Sequence, residues 1–262
     1  MMQPIHLFQV DAFTDKLFHG NPAAICLLTE WFNDELLQAI AIENNLSETA
    51  FVLEEDQGFH IRWFTPNGEV SLCGHATLAA GFVLFDLNRI TQNVLQFSSL
   101  SGPLSVIKKD DIYTLDFPAL TYSEIGNDHA VVSSVEAKVH EAYESSLDYL
   151  VLLESESEVA RVKVDLELLK KLPKRGLIVT ARAQEADFYS RCFYPKFNVP
   201  EDPVTGSAHC VLTPFWADRL GKQSLKAIQG STRKGEVFCR FEGKRVYLSG
   251  KCKWYSKGYL QL

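Results

Sequence analysis

Alternating apolar and polar residues open the chain and predict a strand over the stretch PIHLFQVDAF. A turn at HGNP (residues 19–22) then leads into a short apolar strand, AAICLL. In the next segment, DELLQAIA, the apolar residues recur three and four positions apart, which is the period of an amphipathic helix. Asn33 or Asp34 is a suitable cap for that helix. The pattern therefore predicts short strands interrupted by a helix.

The same mixture continues to the end of the chain. Largely apolar stretches predict two longer helices, His75 to Leu87 and Ser207 to Leu220. Further helices are expected around 135–145 and over 165–172. Strands are predicted at 49–53, 58–65, 149–153, 176–180 and 188–194, three more within 93–117, and strands and turns from 235 to the end.

Each half of the chain thus has one long apolar helix among many short strands. Because a helix without a polar face has to be surrounded by other elements, the pattern favours an α+β arrangement with a sheet wrapped around a central helix. The segment PALTYSEIGNDH (residues 118–129) is the best candidate for a linker between the halves.

One segment of the sequence occurs twice in similar form. GFHIRWFTPNGEVSLCGHATLAAGFVL, which starts at Gly58, matches ADFYSRCFYPKFNVPEDPVTGSAHCVL, which starts at Ala186, with a three-residue insertion. Upstream of these copies, DELLQAIA matches LELLKKLP. A repeat of this length indicates two similar half-domains, and such pairs usually bind a ligand in the cleft between them. The alternative is a chance match of short apolar strings.

The composition excludes several classes of protein. With 262 residues, 46% apolar and 23% charged, the chain is typical of a globular protein. A net charge of −7 gives no basic surface for nucleic acid or an anionic membrane. No signal-peptide pattern and no membrane-length apolar run is visible, so a cytoplasmic location is expected. The six cysteines are scattered without a C-x-x-C pair, and we expect reduced thiols.

Both copies of the repeat end in a glycine turn before an apolar helix, at Gly74 and at Gly206. The first N–H groups of a helix lack internal partners and carry partial positive charge. Such a helix start binds carboxylates or phosphates where glycine allows the ligand to approach. The alternative is that both glycines serve only tight turns and helix packing.

Polar residues beside these turns are candidates for chemistry. Glu48 lies at the start of an apolar strand, where a solvated surface role is the alternative. Asp202 either bonds its own turn or orients a substrate group. Thr205 and Ser207 are either helix caps or ligand contacts. His75 is either a donor or acid/base near neutral pH or a structural histidine.

Cys73 lies directly before the first glycine turn and has two interpretations. A thiolate at a helix start is a candidate catalytic group, whereas a small buried cysteine is commoner. Cys73 and His75, like His209 and Cys210, suggest zinc, but neither pair has the spacing of a structural site, so no metal is expected. The motifs of nucleotide-binding loops and of hydrolase nucleophile elbows do not occur.

Five blocks of sequence are notable for their order along the chain: VDAFTDKLFHGNPAAI, NNLSETAFV, FTPNGEVSLCGHATLAAG, EDPVTGSAH and QGSTRKGEV. In these blocks the chain resembles the PhzF-like family of phenazine-biosynthesis isomerases. The resemblance implies an α+β fold of two pseudo-symmetric diaminopimelate epimerase-like domains, each a mostly antiparallel sheet around a central helix. It also implies a homodimer. The first domain would contain residues 1–118 and about 252–262, and the second would contain residues 119–251, with the active site between the two domains.

The resemblance further implies which residues act. The family's catalytic glutamate, histidine and aspartate fall on Glu48, His75 and Asp202. Its serine falls on Ser207, and its glycine donors fall on Gly74 and Gly206. The phenazine enzyme isomerises dihydro-3-hydroxyanthranilate without a cofactor, because its glutamate removes a ring proton and returns it at another carbon. We therefore expect a cofactor-independent isomerase of a small carboxylated metabolite.

Two positions depart from related patterns. Epimerases and racemases of this fold carry a cysteine at each glycine turn, whereas here Cys73 is matched by Thr205, so a two-thiol mechanism cannot operate. The family's usual R-G-G reads Arg-Lys-Gly at residues 233–235. Two alternatives stay open: an amino-acid epimerase that uses Glu48 with Cys73, and a small-molecule binding protein without turnover.

Overall fold

Short strands and few helices make up the computed structural model, which describes residues 4–55 and 58–261. The chain forms two units. The first contains the described residues up to Asp116 and those from Ser249 onward, and the second contains Phe117–Leu248. The chain passes between the units within two of its strands, Ile112–Pro118 and Arg245–Gly250.

In the first unit, a mixed sheet surrounds one helix. Its helices are α1 (Asp34–Asn44) and α2 (Gly74–Asp86), and its strands are β1 (Ile5–Ala12), β2 (Asn21–Leu28), β3 (Glu48–Glu55), β4 (Gly58–Thr65), β5 (Gly68–Val70), β6 (Val94–Ser98), β7 (Leu104–Lys109), β8 (Ile112–Pro118) and β18 (Cys252–Leu260). β1 pairs antiparallel with β2 and β18, and β2 runs parallel to β3. β4 is antiparallel to β3 and β5 but parallel to β6, and β7 continues antiparallel to β6 and β8.

The helix α2 is the centre of this unit. It is buried on every side from His75 to Phe85, so it has no polar face and is stable only because strands surround it. Gly81 lets the sheet approach closely, since a Cβ there would lie 2.7 Å from a methyl carbon of Val106 in β7. A larger residue at this position would push the helix away from the sheet.

The second unit has the same plan. Its helices are α3 (Glu156–Arg161), α4 (Leu166–Lys171) and α5 (Gly206–Leu220), and its strands are β9 (Tyr122–Ile125), β10 (Glu141–Ser145), β11 (Asp148–Leu152), β12 (Gly176–Arg182), β13 (Phe188–Tyr194), β14 (Val199–Asp202), β15 (Ser224–Gln229), β16 (Gly235–Glu242) and β17 (Arg245–Gly250). β10 pairs antiparallel with β9 and β11, and β11 runs parallel to β12. β13 is antiparallel to β12 and β14 and parallel to β15, which pairs antiparallel with β16.

The central helix of this unit, α5, contains a proline within its length. Pro214 has no N–H to donate to the carbonyl of Cys210, one turn earlier. That carbonyl instead accepts a hydrogen bond of 2.9 Å from the backbone N–H of Leu120. The segment after β8 therefore replaces the bond that the proline removes, and the helix continues to Leu220.

The pairing pattern confirms the internal repeat. In each unit two parallel strands are joined by a helical crossover: α1 between β2 and β3, α3 with α4 between β11 and β12. In the first unit, β4 runs antiparallel to β3, and β6, which follows the helix α2, runs parallel to β4. In the second unit, β13 runs antiparallel to β12, and β15, which follows the helix α5, runs parallel to β13. The expected sheet around a central helix is therefore present twice.

Matching ion pairs repeat with the strands. Arg62 in β4 binds Glu69 through two hydrogen bonds of 2.7 and 2.8 Å, and its guanidinium lies 5.1 Å from the ring centre of Phe64. Arg191, at the equivalent position of β13, binds Glu201 at 3.0 and 2.7 Å and lies 5.0 Å from the ring centre of Phe193. The two copies thus share side-chain geometry as well as topology.

Two sequence expectations were wrong. No helix spans 135–145: this segment contains β10, which is hydrogen-bonded on both sides by β9 and β11. Pairing on two edges satisfies more of its backbone than an isolated helix would, and it overrides the local helical spacing. The segment expected to be a linker contains β9, and the helix α3 was not predicted.

Candidate active site

The first candidate group lies where the helix α2 begins. Cys73 is its N-cap, with extended backbone (φ −140°), and its side chain makes no capping hydrogen bond. The first turn holds no acidic residue. The N–H groups of this turn therefore keep the partial positive charge of a helix start.

His75, in that first turn, is 5% exposed. Its Nδ1 lies 3.2 Å from the amide nitrogen of Asn21 and 3.5 Å from the sulfur of Cys73. Both neighbours can donate hydrogen to Nδ1, whereas the carbonyl of Pro22 can only accept from the ring, so these contacts suit both tautomers. Burial lowers the pKa of His75 to about 4, against an opposing hydrogen bond with the backbone of Pro22. The ring is therefore neutral near pH 7.

Glu48 begins β3 and is only partly exposed. Its Oε2 lies 3.2 Å from Nε2 of His75, although the angles between these two groups fall outside those of a hydrogen bond. Catalytic hydrogen bonds are often poorly aligned in the absence of substrate, so the short distance is the informative quantity. The parallel pairing of β3 with β2 sets this distance, because it places Glu48 opposite Ala23 and near the turn that carries Asn21.

Three donor atoms of this group, from Glu48, Cys73 and His75, lie within 4.8 Å of one another, as the ligands of a metal would. However, Glu48 approaches Nε2 of the imidazole while Cys73 approaches Nδ1. A metal ion binds only one nitrogen of a histidine, at about 2.0–2.1 Å for zinc. Because the carboxylate and the thiol approach different nitrogens of the ring, a single ion would not contact all three side chains in this arrangement, and the lack of a metal stays a prediction.

The second candidate group lies where α5 begins. Thr205 is the N-cap, and its hydroxyl donates to Oδ2 of Asp202 at 2.5 Å instead of capping the helix. Gln229, fully buried at the end of β15, accepts from the N–H of Thr205 at 2.9 Å. Its amide nitrogen donates to the carbonyl of Asp202 at 2.9 Å and to the hydroxyl of Thr205 at 3.0 Å. Because that hydroxyl accepts from Gln229, its own proton is directed at the carboxylate.

Ser207 lies in the first turn of α5 and is partly exposed. Its Oγ accepts a hydrogen bond of 2.6 Å from Nη2 of Arg175. Arg175 also binds Asp148 through two hydrogen bonds, of 2.8 and 2.7 Å, and Asp148 is 1% exposed. The side chain thus connects a buried carboxylate to the helix start.

The structure brings the predicted residues together in two groups, one in each unit. The first contains Glu48, Cys73, Gly74 and His75, and the second contains Asp202, Thr205, Gly206 and Ser207. That both groups face one cleft stays a prediction. Sequence reasoning missed four residues that hold these groups: Asn21, Asp148, Arg175 and Gln229. The only signal was the position of Asn21 in a Gly-Asn-Pro turn, because the others come from remote strand ends.

The six cysteines are free thiols, five of them buried, as expected for a chain of reduced cysteines. Among the described residues, none of the helices has the length and apolar character needed to cross a bilayer. The homodimer and the cytoplasmic location stay predictions.

Two units in which strands surround a helix, with a glycine turn at each helix start, define the class of epimerase-like folds. A hydroxyproline epimerase of Agrobacterium vitis, solved with bound trans-4-hydroxy-L-proline, has this fold: its TM-score is 0.64 at 9% identity, over 98% of this chain and 92% of that one. At this identity the likeness shows the fold alone, and it confirms the fold class expected from the sequence.

Sequence comparison places the chain more narrowly. The family model described as phenazine biosynthesis-like protein matches residues 10–258. A PhzF-family crystal structure from Enterococcus faecalis is 43% identical, with a TM-score of 0.95 over 99% of this chain and 100% of that one. A protein of Pseudomonas aeruginosa named an uncharacterized isomerase is 49% identical over 256 residues, which is 98% of each chain. The chain belongs to the phenazine biosynthesis-like, or PhzF, family.

Proposed function

We propose that this isomerase of the PhzF family moves a proton between two positions of a small carboxylated molecule without a cofactor. Glu48 would carry the proton. The observation that supports this most is the 3.2 Å contact between its carboxylate and the buried imidazole of His75. A carboxylate can take a proton from carbon and return it elsewhere, which is the chemistry that such an isomerisation needs.

His75 suits a positioning role in this scheme. Because burial lowers its pKa to about 4, the ring would stay neutral near pH 7. In the neutral tautomer that carries its proton on Nε2, it would donate one hydrogen bond to the Glu48 carboxylate or to a substrate oxygen. The carboxylate would thus be oriented without losing its capacity to accept a proton.

The starts of α2 and α5 would hold the carboxylate of the substrate. Neither N-cap side chain bonds a first-turn N–H, and neither first turn contains an acidic residue that would repel an anion. We propose that both helix starts serve one ligand, and that Asp202 orients an amine or hydroxyl of it. The Thr205 hydrogen bond would keep that carboxylate in place.

A positioned acid/base accounts for about 10²–10⁴ in rate, so orientation and helix-start electrostatics would supply the rest. The test follows from that magnitude. Small amino and hydroxy carboxylic acids that raise the thermal stability of the protein would be incubated in D2O, and exchange of their carbon-bound hydrogens would be followed by NMR. We expect Glu48→Gln to slow exchange by at least about 10² with little change in affinity.

Glu55→Gln is the matched control, because Glu55 lies on the same strand and pairs with His60 at the surface. Cys73→Ser separates the two enzyme hypotheses. If Cys73→Ser abolishes exchange while Glu48→Gln leaves most of it, an epimerase that depends on the thiol replaces the proposal. A protein that binds such acids but exchanges no hydrogen in any of them would instead be a binding protein.

A further inference from the structure

The side chain of Arg175 links the start of α5 to the interior of the second unit. Its two hydrogen bonds to Asp148 fix the guanidinium in one plane, since both carboxylate oxygens are used. The ring of Tyr194 lies 5.0 Å from the guanidinium carbon. The backbone N–H of Arg175 donates to Leu147 at 3.1 Å, so the chain just before β12 is fixed as well.

The neighbourhood of Asp148 is equally fixed. Its backbone N–H donates to Oγ of Ser145 at 2.9 Å, and the same hydroxyl donates to the carbonyl of Asp148 at 3.0 Å. The residue after Arg175 has to be glycine, because a Cβ on Gly176 would overlap the ring of Tyr194. Arg175 thus has little freedom to change its orientation, and Nη2 is directed at Ser207.

This contact determines what the hydroxyl of Ser207 can do. A guanidinium has only donors, so the Ser207 oxygen must accept in this hydrogen bond. The single proton of the hydroxyl is then available to donate to another group. A carboxylate oxygen that meets Ser207 can accept this proton and is attracted by the charge of Arg175, whereas an ammonium group at the same place would be repelled by that charge.

A structural role for Arg175 alone would not require this contact. The bidentate pairs of Arg62 with Glu69 and of Arg191 with Glu201 are ion pairs of the same kind. Nη2 of Arg62 also reaches a helix start, but its partner there is the carboxylate of Asp34 in α1, not an uncharged hydroxyl of a central helix. Arg175 uses the same Nη2 atom for Asp148 and, at 2.6 Å, for Ser207. Its position therefore does more than neutralise a buried carboxylate.

We propose that Arg175 is a positioning residue that fixes the Ser207 hydroxyl as a hydrogen-bond donor, and that Ser207 thereby selects a carboxylate at the start of α5. This inference rests on the proposed function, because it refines how the substrate carboxylate is recognised. Asp148 also has a role in this proposal, because its buried carboxylate holds Arg175 in the orientation that the contact with Ser207 requires.

The test compares two probes of nearly equal shape, anthranilate and 2-aminobenzamide, which differ in the charge of one group. Calorimetry gives the dissociation constant of each, and their ratio measures selection for the carboxylate. We expect the wild-type protein to prefer anthranilate and Ser207→Ala to reduce this preference about tenfold, as for loss of a hydrogen bond to a charged group. Arg175→Lys should reduce it similarly, because one ammonium cannot reproduce the bidentate pair and reach Ser207.

The double variant Arg175→Gln with Asp148→Asn removes both charges together and leaves no lone buried carboxylate. It should also lose the preference, while affinity for the amide changes little. Arg219→Gln is the control, since Arg219 pairs with Glu141 at the other end of α5. A merely structural role for Arg175 would weaken both probes equally and leave their ratio unchanged.

The outcomes separate the two levels of the argument. If the wild-type protein shows no preference for the carboxylate, the proposed carboxylate recognition is wrong and this inference falls with it. If wild type prefers the carboxylate and Ser207→Ala loses that preference, but both Arg175 variants keep it, the proposed function stands and the role of Arg175 is overturned. Loss of the ratio in all three variants, with Arg219→Gln unchanged, supports the inference.

Discussion

The stability of the second unit should depend on pH through His209. This residue of α5 is fully buried, and its Nδ1 lies 2.9 Å from the backbone carbonyl of Thr205. Because a carbonyl only accepts, Nδ1 carries the proton of the neutral ring. Its Nε2 is buried without a hydrogen-bond partner among the described residues, and the ring of Phe188 lies 6.0 Å away. Burial accordingly lowers the pKa of His209 to about 4, against the opposing effect of the Thr205 carbonyl.

The sign and size of the effect follow from that value. In the unfolded chain the ring takes up its proton near pH 6.5, whereas in the folded chain it does so near 4. Between these values the unfolded state binds more protons, so stability is present above pH 6.5 and is lost as the pH falls toward 4. A difference of about 2.5 pKa units corresponds to about 3 kcal/mol over the whole window, of which about 1 kcal/mol is lost between pH 7 and pH 5.5.

Urea unfolding at these two pH values, followed by tryptophan fluorescence, measures this loss. His209→Gln cannot take up the proton, so its free energy of unfolding should fall about 1 kcal/mol less than that of the wild type over the same interval. His6→Gln, which removes an exposed histidine, is the control and should behave as the wild type does. An equal fall in wild type and His209→Gln would show that burial of this ring does not control the pH dependence.

Two further predictions concern the loop after β15 and the group formed by Glu48, Cys73 and His75. Gly230 has φ +103°, and a Cβ there would lie 2.8 Å from the carbonyl oxygen of Pro203 and closer still to that of Arg233, so Gly230→Ala should lower the free energy of unfolding by about 2–4 kcal/mol. Gly243→Ala, at φ +63° with no neighbour within 4 Å, should cost only about 1–2 kcal/mol in the same denaturation assay, and equal losses would contradict the overlap. Elemental analysis of purified protein should find no stoichiometric zinc, and a full equivalent would show that Glu48, Cys73 and His75 coordinate a metal.

Much of the fold could be predicted because local sequence patterns indicate its elements and because similar patterns occur in both halves of the chain. The apolar stretches after Gly74 and Gly206 have no polar face, so each had to be a surrounded helix. The strand before each of them carries the same arginine and phenylalanine spacing in both copies. The matching ion pairs of Arg62 and Arg191 show why this spacing is kept: each arginine binds a glutamate that lies beyond its strand in sequence.

The rest depended on interactions between remote segments. The residues 141–145 form a strand because β9 and β11 pair with them on both sides, which no local pattern shows. Gln229, Arg175 and Asp148 were not predicted for the same reason. They lie near the start of α5 only because strands that are far apart in sequence pair in one register. The site residues that the sequence did indicate are those within a few positions of a glycine turn.

The two helix starts also show which positions serve structure and which serve chemistry. One position is used alike in both copies: Thr77 in α2 and His209 in α5 each contact the backbone carbonyl of the N-cap residue, at 2.5 and 2.9 Å. The position two residues earlier differs, since α2 has His75 beside Glu48, and α5 has Ser207 beside Arg175.

Both turns therefore have the same backbone contact at their N-cap, whereas one position in each first turn, His75 or Ser207, carries a different side chain. In the first unit that position faces a carboxylate able to carry a proton. In the second it faces an arginine whose own charge is matched by the buried Asp148. A group that carries a proton has to change its protonation state during turnover, whereas a group that only binds must keep it. Since an arginine stays protonated and a glutamate can change its protonation state, this contrast supports the proposal that Glu48 transfers the proton in the first unit and that Ser207 binds an anion in the second.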